Sequence, residues 1–261
     1  MPGFAPLDLL PLWALSLVLF VANLLLNECG FRTGRLLGRH AQKESDTTVG
    51  AVVGAELGLL AFLLAISFGI GASRFDVRRQ MVLDEANAIG TTFLRADMLP
   101  DAQGASIRRL LRNYADIRLE ATTGAPIDRI LRRSEQIHSQ LWSEAVAAAG
   151  HDPRSVPAGL FIESLNQVID LHAARVMAAL RSRMPLAVWV VLFAVGLLAF
   201  FTMGYQAGLS ASSRSPGAIV LALAFGAVIW LVADLDRPGE GFLRVSQEPM
   251  IDVRKSMGSA P

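Results

Sequence analysis

Four stretches of the chain, 7–26, 50–71, 185–205 and 216–233, stay apolar for long enough to cross a bilayer, which takes about 20 residues of helix. The first has no basic residue ahead of it and no small-x-small cleavage site. It therefore reads as a retained span and not as a secretory signal. Between the second and third runs the pattern changes to a helical period. Ile107, Leu110, Leu111, Tyr114, Ile117 and Ala121 fall on one face, as do Ile127, Ile130, Leu131, Ile137, Leu141 and Ala145. Ile162, Leu165, Ile169, Val176 and Leu180 make a third stripe that leads into the third apolar run. The TGAP sequence at 123–126 and the Gly- and Pro-bearing stretch 150–157 separate these segments. No strand-like alternation and no internal repeat is present.

These patterns predict an all-α protein with four transmembrane helices and a helical extramembrane bundle. Spans two and three are expected to continue out of the membrane as long helices lying side by side, with 105–121 and 127–148 packed on them. The domains predicted are a first helix pair at 1–71, a helical body at 72–184, a second pair at 185–234 and a tail at 235–261.

Composition agrees with a membrane class. Hydrophobic residues make up 52% of the 261 and charged residues 18%, below the usual quarter of soluble domains, and mean hydropathy is +0.43. A net charge of +1 gives no reason to expect a nucleic-acid partner. Cys29 is the only cysteine and the four histidines lack metal-ligand spacing. No phosphate loop and no Ser-His-Asp grouping is found, so neither a metal, a cofactor nor an enzyme is expected.

Within span two, Gly50, Gly54 and Gly58 form a GxxxGxxxG run. Small residues on one face let helix backbones approach inside lipid. Packing within the subunit is the preferred reading, and a subunit interface or pore wall the other. Glu56 is ionisable inside the same apolar run. It marks either an ion path or a side chain that snorkels to the interface.

Beyond that span lies LDEANAIG, 83–90. On a helix, Asp84, Asn87 and Thr91 share one face and Arg78, Met81, Glu85 and Ala88 a neighbouring one, beside an apolar stripe of Val82, Ala86, Ile89 and Phe93. The polar residues are therefore expected to flank a core-facing seam. Adjacent positions diverge by about 100°, which argues against Asp84 and Glu85 as a catalytic acid pair. The favoured role is locking the helix to its neighbours, with an arginine from 175–183 as partner. Cation or ion binding is the competing role.

The stretch from LGLLAFLLAISFGIG through DEANAIGT to LRADMLP, with ADLDRPGEGFLRVSQEP after span four, resembles the bacterial bestrophin-like membrane proteins, over roughly residues 50–252. Asp84, Glu85, Asn87, Gly90 and Arg95 carry the motif. The resemblance implies a homo-oligomer in the bacterial inner membrane that conducts or regulates anions. It also implies an apolar neck, for which Leu59, Phe62 and Ile66, with Glu56 nearby, are the candidates. Asp234, Asp236 and Glu240 stand where bestrophins carry an acidic calcium clasp. The cluster here is short and interrupted by Arg237, so helix termination and ion pairing is the favoured reading. The rival to a channel is a non-conducting membrane protein whose helical body binds a partner or senses membrane state. Basic residues crowd both ends of the spans. The resemblance places the helical body in the cytoplasm.

Overall fold

The structure, a computed structural model, describes residues 10–37, 46–121, 124–180, 182–210, 216–237 and 241–258. Among these residues there are eight α-helices and no strand: α1 (Leu12–Leu37), α2 (Asp46–Arg95), α3 (Asp101–Glu120), α4 (Ile127–His151), α5 (Val156–Leu180), α6 (Leu186–Leu209), α7 (Gly217–Asp236) and α8 (Glu248–Ser256), with a single 3-10 turn after α2. The protein is all-α. Four of the helices, α1, α2, α6 and α7, are long and apolar enough to cross a membrane. The chain divides into two compact units, one of residues 1–75 and 180–244, the other of 76–179 and 245–261.

Span two continues as expected. Gly69 and Gly71 do not interrupt α2, whose 50 residues form one continuous helix. At span three the expected continuity fails. α5 ends at Leu180 and α6 begins at Leu186, with 182–185 non-helical. Pro185 supplies the reason, since its ring disfavours a helical conformation at Met184 and it has no N–H to give to a preceding turn.

In the first unit, α1 and α6 run parallel with their backbones in contact. A Cβ at Gly30 would strike the Phe201 carbonyl, one at Gly34 that of Tyr205, one at Gly204 that of Asn27 and one at Gly208 that of Phe31. Asn27 Nδ2 donates to the Phe200 carbonyl at 3.0 Å across the same seam. Leu15, Leu192, Phe200, Phe225 and Ile229 form the apolar core beside it. The small-residue device is thus present, but not where the GxxxGxxxG run suggested. Gly54 and Gly58 have no atom within 4 Å of an added Cβ, and Gly50 meets only the Gln206 side chain. Packing within the subunit is therefore not what Gly54 and Gly58 do. The close approach is made by two pairs of glycines on α1 and α6.

The second unit assembles residues 76–95 of α2 with α3, α4, α5 and α8 around Ile89, Ile107, Leu111, Leu141, Phe161 and Leu165. Polar contacts fasten its rim: Gln103 and Ser106 donate to Glu144 at 2.8 Å, and Arg133 to Glu120 at 2.6 Å. The end of the chain is more than a tail here. Met250 and Met257 are buried in this core, Arg112 donates to the Met257 carbonyl at 2.9 Å, and Arg254 pairs with Asp116 at 2.7 Å.

The glycine seam makes a direct prediction. Gly30→Ala or Gly204→Ala drives a methyl into backbone, which must move, and is expected to cost about 1–3 kcal/mol. Gly54→Ala and Gly58→Ala, which meet nothing within the chain, are expected to leave the stability of the single subunit almost unchanged. Thermal denaturation of the detergent-solubilised chain checks this through the difference in midpoint, and equal losses in all four variants would contradict it.

Candidate functional site

The buried face of α2 in the second unit is wider than its apolar stripe. Val82, Ala86 and Ile89 face the core as the period requires, and so do Arg78, Glu85 and Thr92. The expectation that the polar residues only flank the seam is thus corrected for Glu85, whose exposure is 0%. The reason is coverage from more than one side: α3 and α5 both bring residues to Glu85, so a position at the edge of the stripe lies inside the unit.

Glu85 is the hub of a polar cluster drawn from four elements. Tyr114 of α3 donates its hydroxyl to Glu85 Oε1 at 2.6 Å. Arg175 Nη1 of α5 donates to Oε2 at 2.5 Å, and Arg118 Nη2 of α3 to the same oxygen at 3.3 Å. Arg118 Nε also lies 3.0 Å from Oε1, at an angle that makes no hydrogen bond, so this second contact is coulombic. Arg175 spends its other end on Gln247 Oε1 at 2.7 Å, which ties in the segment leading to α8. His172 Nδ1 sits 3.0 Å from the Tyr114 oxygen. The phenol proton is already given to Glu85, so the network assigns the His172 proton to Nδ1, donating to that oxygen. His138 of α4 completes the group, with its ring 4.8 Å from Tyr114 and 4.9 Å, edge-on, from His172.

The electrostatics follow from this arrangement. Burial pushes the Glu85 carboxyl up, but the charges of Arg118 and Arg175 and the hydrogen bonds from Tyr114 and Arg175 outweigh it and hold the group below its ordinary pKa. Tyr114 is raised well above its usual value by burial and then by the Glu85 charge. Both histidines are lowered to about 4. For His138 the main cause is burial, opposed by Glu85 and aided by Arg118, and for His172 it is burial followed by Arg118 and His138. At neutral pH the cluster therefore holds one carboxylate, two guanidiniums and two neutral imidazoles.

The other motif residues serve different ends. Asp84, Asn87 and Thr91 look outward onto an open cleft of about 510 Å³, across from Gln167 and Asp170 of α5, and Asp84 accepts from Gln80 of its own helix at 2.8 Å. Asp84 and Glu85 thus point to different environments, with no acid pair between them. A Cβ at Gly90 would lie 3.1 Å from Val253 Cγ2, so Gly90 makes room for α8. Arg95 donates to the Leu160 carbonyl at 2.6 Å and lies 3.9 Å from Glu163. Tyr114, His138 and Arg118 escaped the sequence reading as a site. Tyr114 and Arg118 lie on α3 and His138 on α4, far in sequence from Glu85, and the one signal available was a polar side chain at a core position of each helix.

In the first unit, Asp234 accepts from the backbone N–H groups of Phe242 and Leu243 at 3.1 and 3.3 Å. Gly241, at φ +83°, lies so close to this carboxylate that any Cβ would collide with it. Asp236 accepts from the Met184 N–H at 2.8 Å and faces Arg74 at 3.6 Å, while Arg237 donates to the Leu10 carbonyl at 2.7 Å. These acids order loops. Glu240 lies outside the described residues, and among those described no group of three or more His, Cys, Asp or Glu side chains is placed to hold a metal ion. Glu56 has one oxygen 3.3 Å from Thr202 Oγ1, and its other oxygen is buried without a partner. Leu59, Phe62 and Ile66 are exposed at 50%, 61% and 44%, on one face of α2.

Glu85→Gln is expected to destabilise the second unit by about 3–5 kcal/mol, because two buried guanidiniums lose their counter-charge. Asp84→Asn, on the cleft, is expected to stay within about 0.5 kcal/mol of the parent. Chemical unfolding of both variants tests the contrast, which fails if the two changes cost the same.

A family profile described as a bestrophin-like domain matches residues 19–250. No curated protein matches the chain. Among solved structures, a bacterial bestrophin homologue from Klebsiella pneumoniae carrying a point mutation has a TM-score of 0.67 at 12% identity, covering 92% of this chain and 97% of its own. A further structure of a bacterial bestrophin homologue from Klebsiella pneumoniae has a TM-score of 0.64 at 13% identity, covering 94% and 99%. At such identities the likeness is one of fold. The match of the family profile over most of its length is what places the chain in the bestrophin-like family.

Proposed function

We propose that the chain is one subunit of an oligomeric ion channel, or a regulator of ion flux, in the bacterial inner membrane, with anions as the permeant class. Family membership sets this reading, and one observation carries it for this molecule. The most apolar window of α2 is only 17% buried, less than in any of the other three apolar helices. Its bare side presents Leu59, Phe62 and Ile66 beside the open positions Gly54, Gly58 and Gly69. A helix that lines a shared axis needs such a side, with bulky apolar residues toward the axis and small ones where the next copy approaches. A ring of apolar side chains then gates by excluding water.

Two measurements test this. Light scattering of the purified detergent complex should give an oligomer, and Gly58→Leu should dissociate it while each chain stays folded. Proteoliposomes should pass chloride, and Phe62→Ala, which widens the neck, should raise the initial flux severalfold. A monodisperse monomer overturns the reading, as does an oligomer that passes no ion with or without Phe62→Ala. The latter outcome favours the non-conducting protein that acts through its helical unit.

A further inference from the structure

We propose that His138 and His172 form a proton-operated latch that fastens α4 to the core of the second unit at neutral pH and releases it in acid. The inference is independent of whether the protein conducts ions.

The geometry is that of a keystone with two titratable faces. α4 buries Ile130, Ser134, Ile137, His138 and Leu141 against the unit, so His138 stands in the middle of the contact face. His138 is only 8% exposed, with Nε2 lacking any hydrogen-bond partner, and Ser134 Oγ one turn away is equally unpartnered. His172, from α5, meets it edge-on at 4.9 Å, and both rings lie against Tyr114. The groups facing the pair are Glu85 from α2, Tyr114 and Arg118 from α3, Ser134 from α4 itself and Arg175 from α5, with Gln247 beyond Arg175. Their fixed charges are one minus and two plus. A proton on either imidazole makes that balance one minus against three plus, away from water. Glu85 cannot absorb the difference, since its oxygens already receive Tyr114, Arg118 and Arg175. His172 Nδ1 is 4.0 Å from Glu85 Oε1, with the phenol between them.

The direction of the pH effect follows. Both histidines hold protons less tightly in the closed unit, near 4, than in water, near 6.5. The open form therefore binds more protons between these values, and the closed form loses its advantage as pH falls from about 6.5 toward 4. With those values the closing equilibrium weakens about 30-fold per histidine at pH 5. α4 is the element that leaves, because it brings one of the two rings to the face and its other polar ties lie at the rim.

Hydrogen–deuterium exchange of the full chain in detergent, resolved by mass spectrometry and corrected for intrinsic rates, tests the latch between pH 7.5 and 4.5. Protection of residues 130–145 should be level above pH 7. Below 6.5 it should fall, approaching a slope of two log units per pH unit, one for each proton taken up. His138→Gln and His172→Gln should each reduce the slope to about one. Should either variant fail to fold, exchange at the imidazole carbon of the parent protein gives the midpoints directly. Both should lie well below 6. Protection that does not change with pH, a two-proton slope that survives either substitution, or midpoints above 6 for His138 and His172 would each overturn the proposal.

Discussion

A carboxylate sealed from water can persist only where its charge is answered, and in the second unit that demand is met by three side chains from two other helices. Glu85 draws in Tyr114, Arg118 and Arg175, and through them His172, His138 and Gln247. A buried ion pair adds little net stability over an apolar replacement, because desolvation offsets attraction. What it does add is discrimination between arrangements. Sliding α3 or α5 past α2 by one turn would leave a buried charge alone, whereas an all-leucine contact would tolerate the slip. The cluster fixes register in a bundle whose core is otherwise apolar.

The two units are therefore held by different physics. In the first, the apolar helices have hydrocarbon as the alternative to one another, so burial of apolar area gives little drive and close backbone contact has to supply it. Gly30, Gly34, Gly204 and Gly208 do this by presenting no side chain at the four positions where the α1 and α6 backbones meet. In the second, the hydrophobic effect assembles the helices, and the polar cluster selects among the ways they can assemble.

Much of this was legible in the sequence. The four spans, the all-α class and the amphipathic helices of the insert follow from runs and periods that any environment would read alike. The break at 182–185 was signalled by Pro185 and hidden by the apolar stripe on either side of it. The glycines of α2 formed the more regular motif, yet spacing records only that a helix can be approached, and the partner is chosen elsewhere. Gly30, Gly34, Gly204 and Gly208 make the same four-residue step in two separate helices, which a scan for a long run passes over. The inward turn of Glu85 depended on how many helices surround α2, a number that a helical wheel does not contain. The arginine expected from 175–183 is Arg175. Its companions Arg118 and Tyr114 sit at positions where size and charge both argued for other roles.

The seam between α1 and α6 also bears on how the protein is made. Asn27 and Phe200, which meet there, are 173 residues apart in sequence. During synthesis α1 enters the bilayer long before α6 exists, with Gly30 and Gly34 exposing backbone to lipid and no helix to cover it. Closure of the membrane unit must wait until all of α2 through α5 has been translated. At about 5–20 residues per second that delay is of the order of ten seconds or more. α6 and α7 complete the one unit and α8 the other, so each half stays open until those helices have emerged.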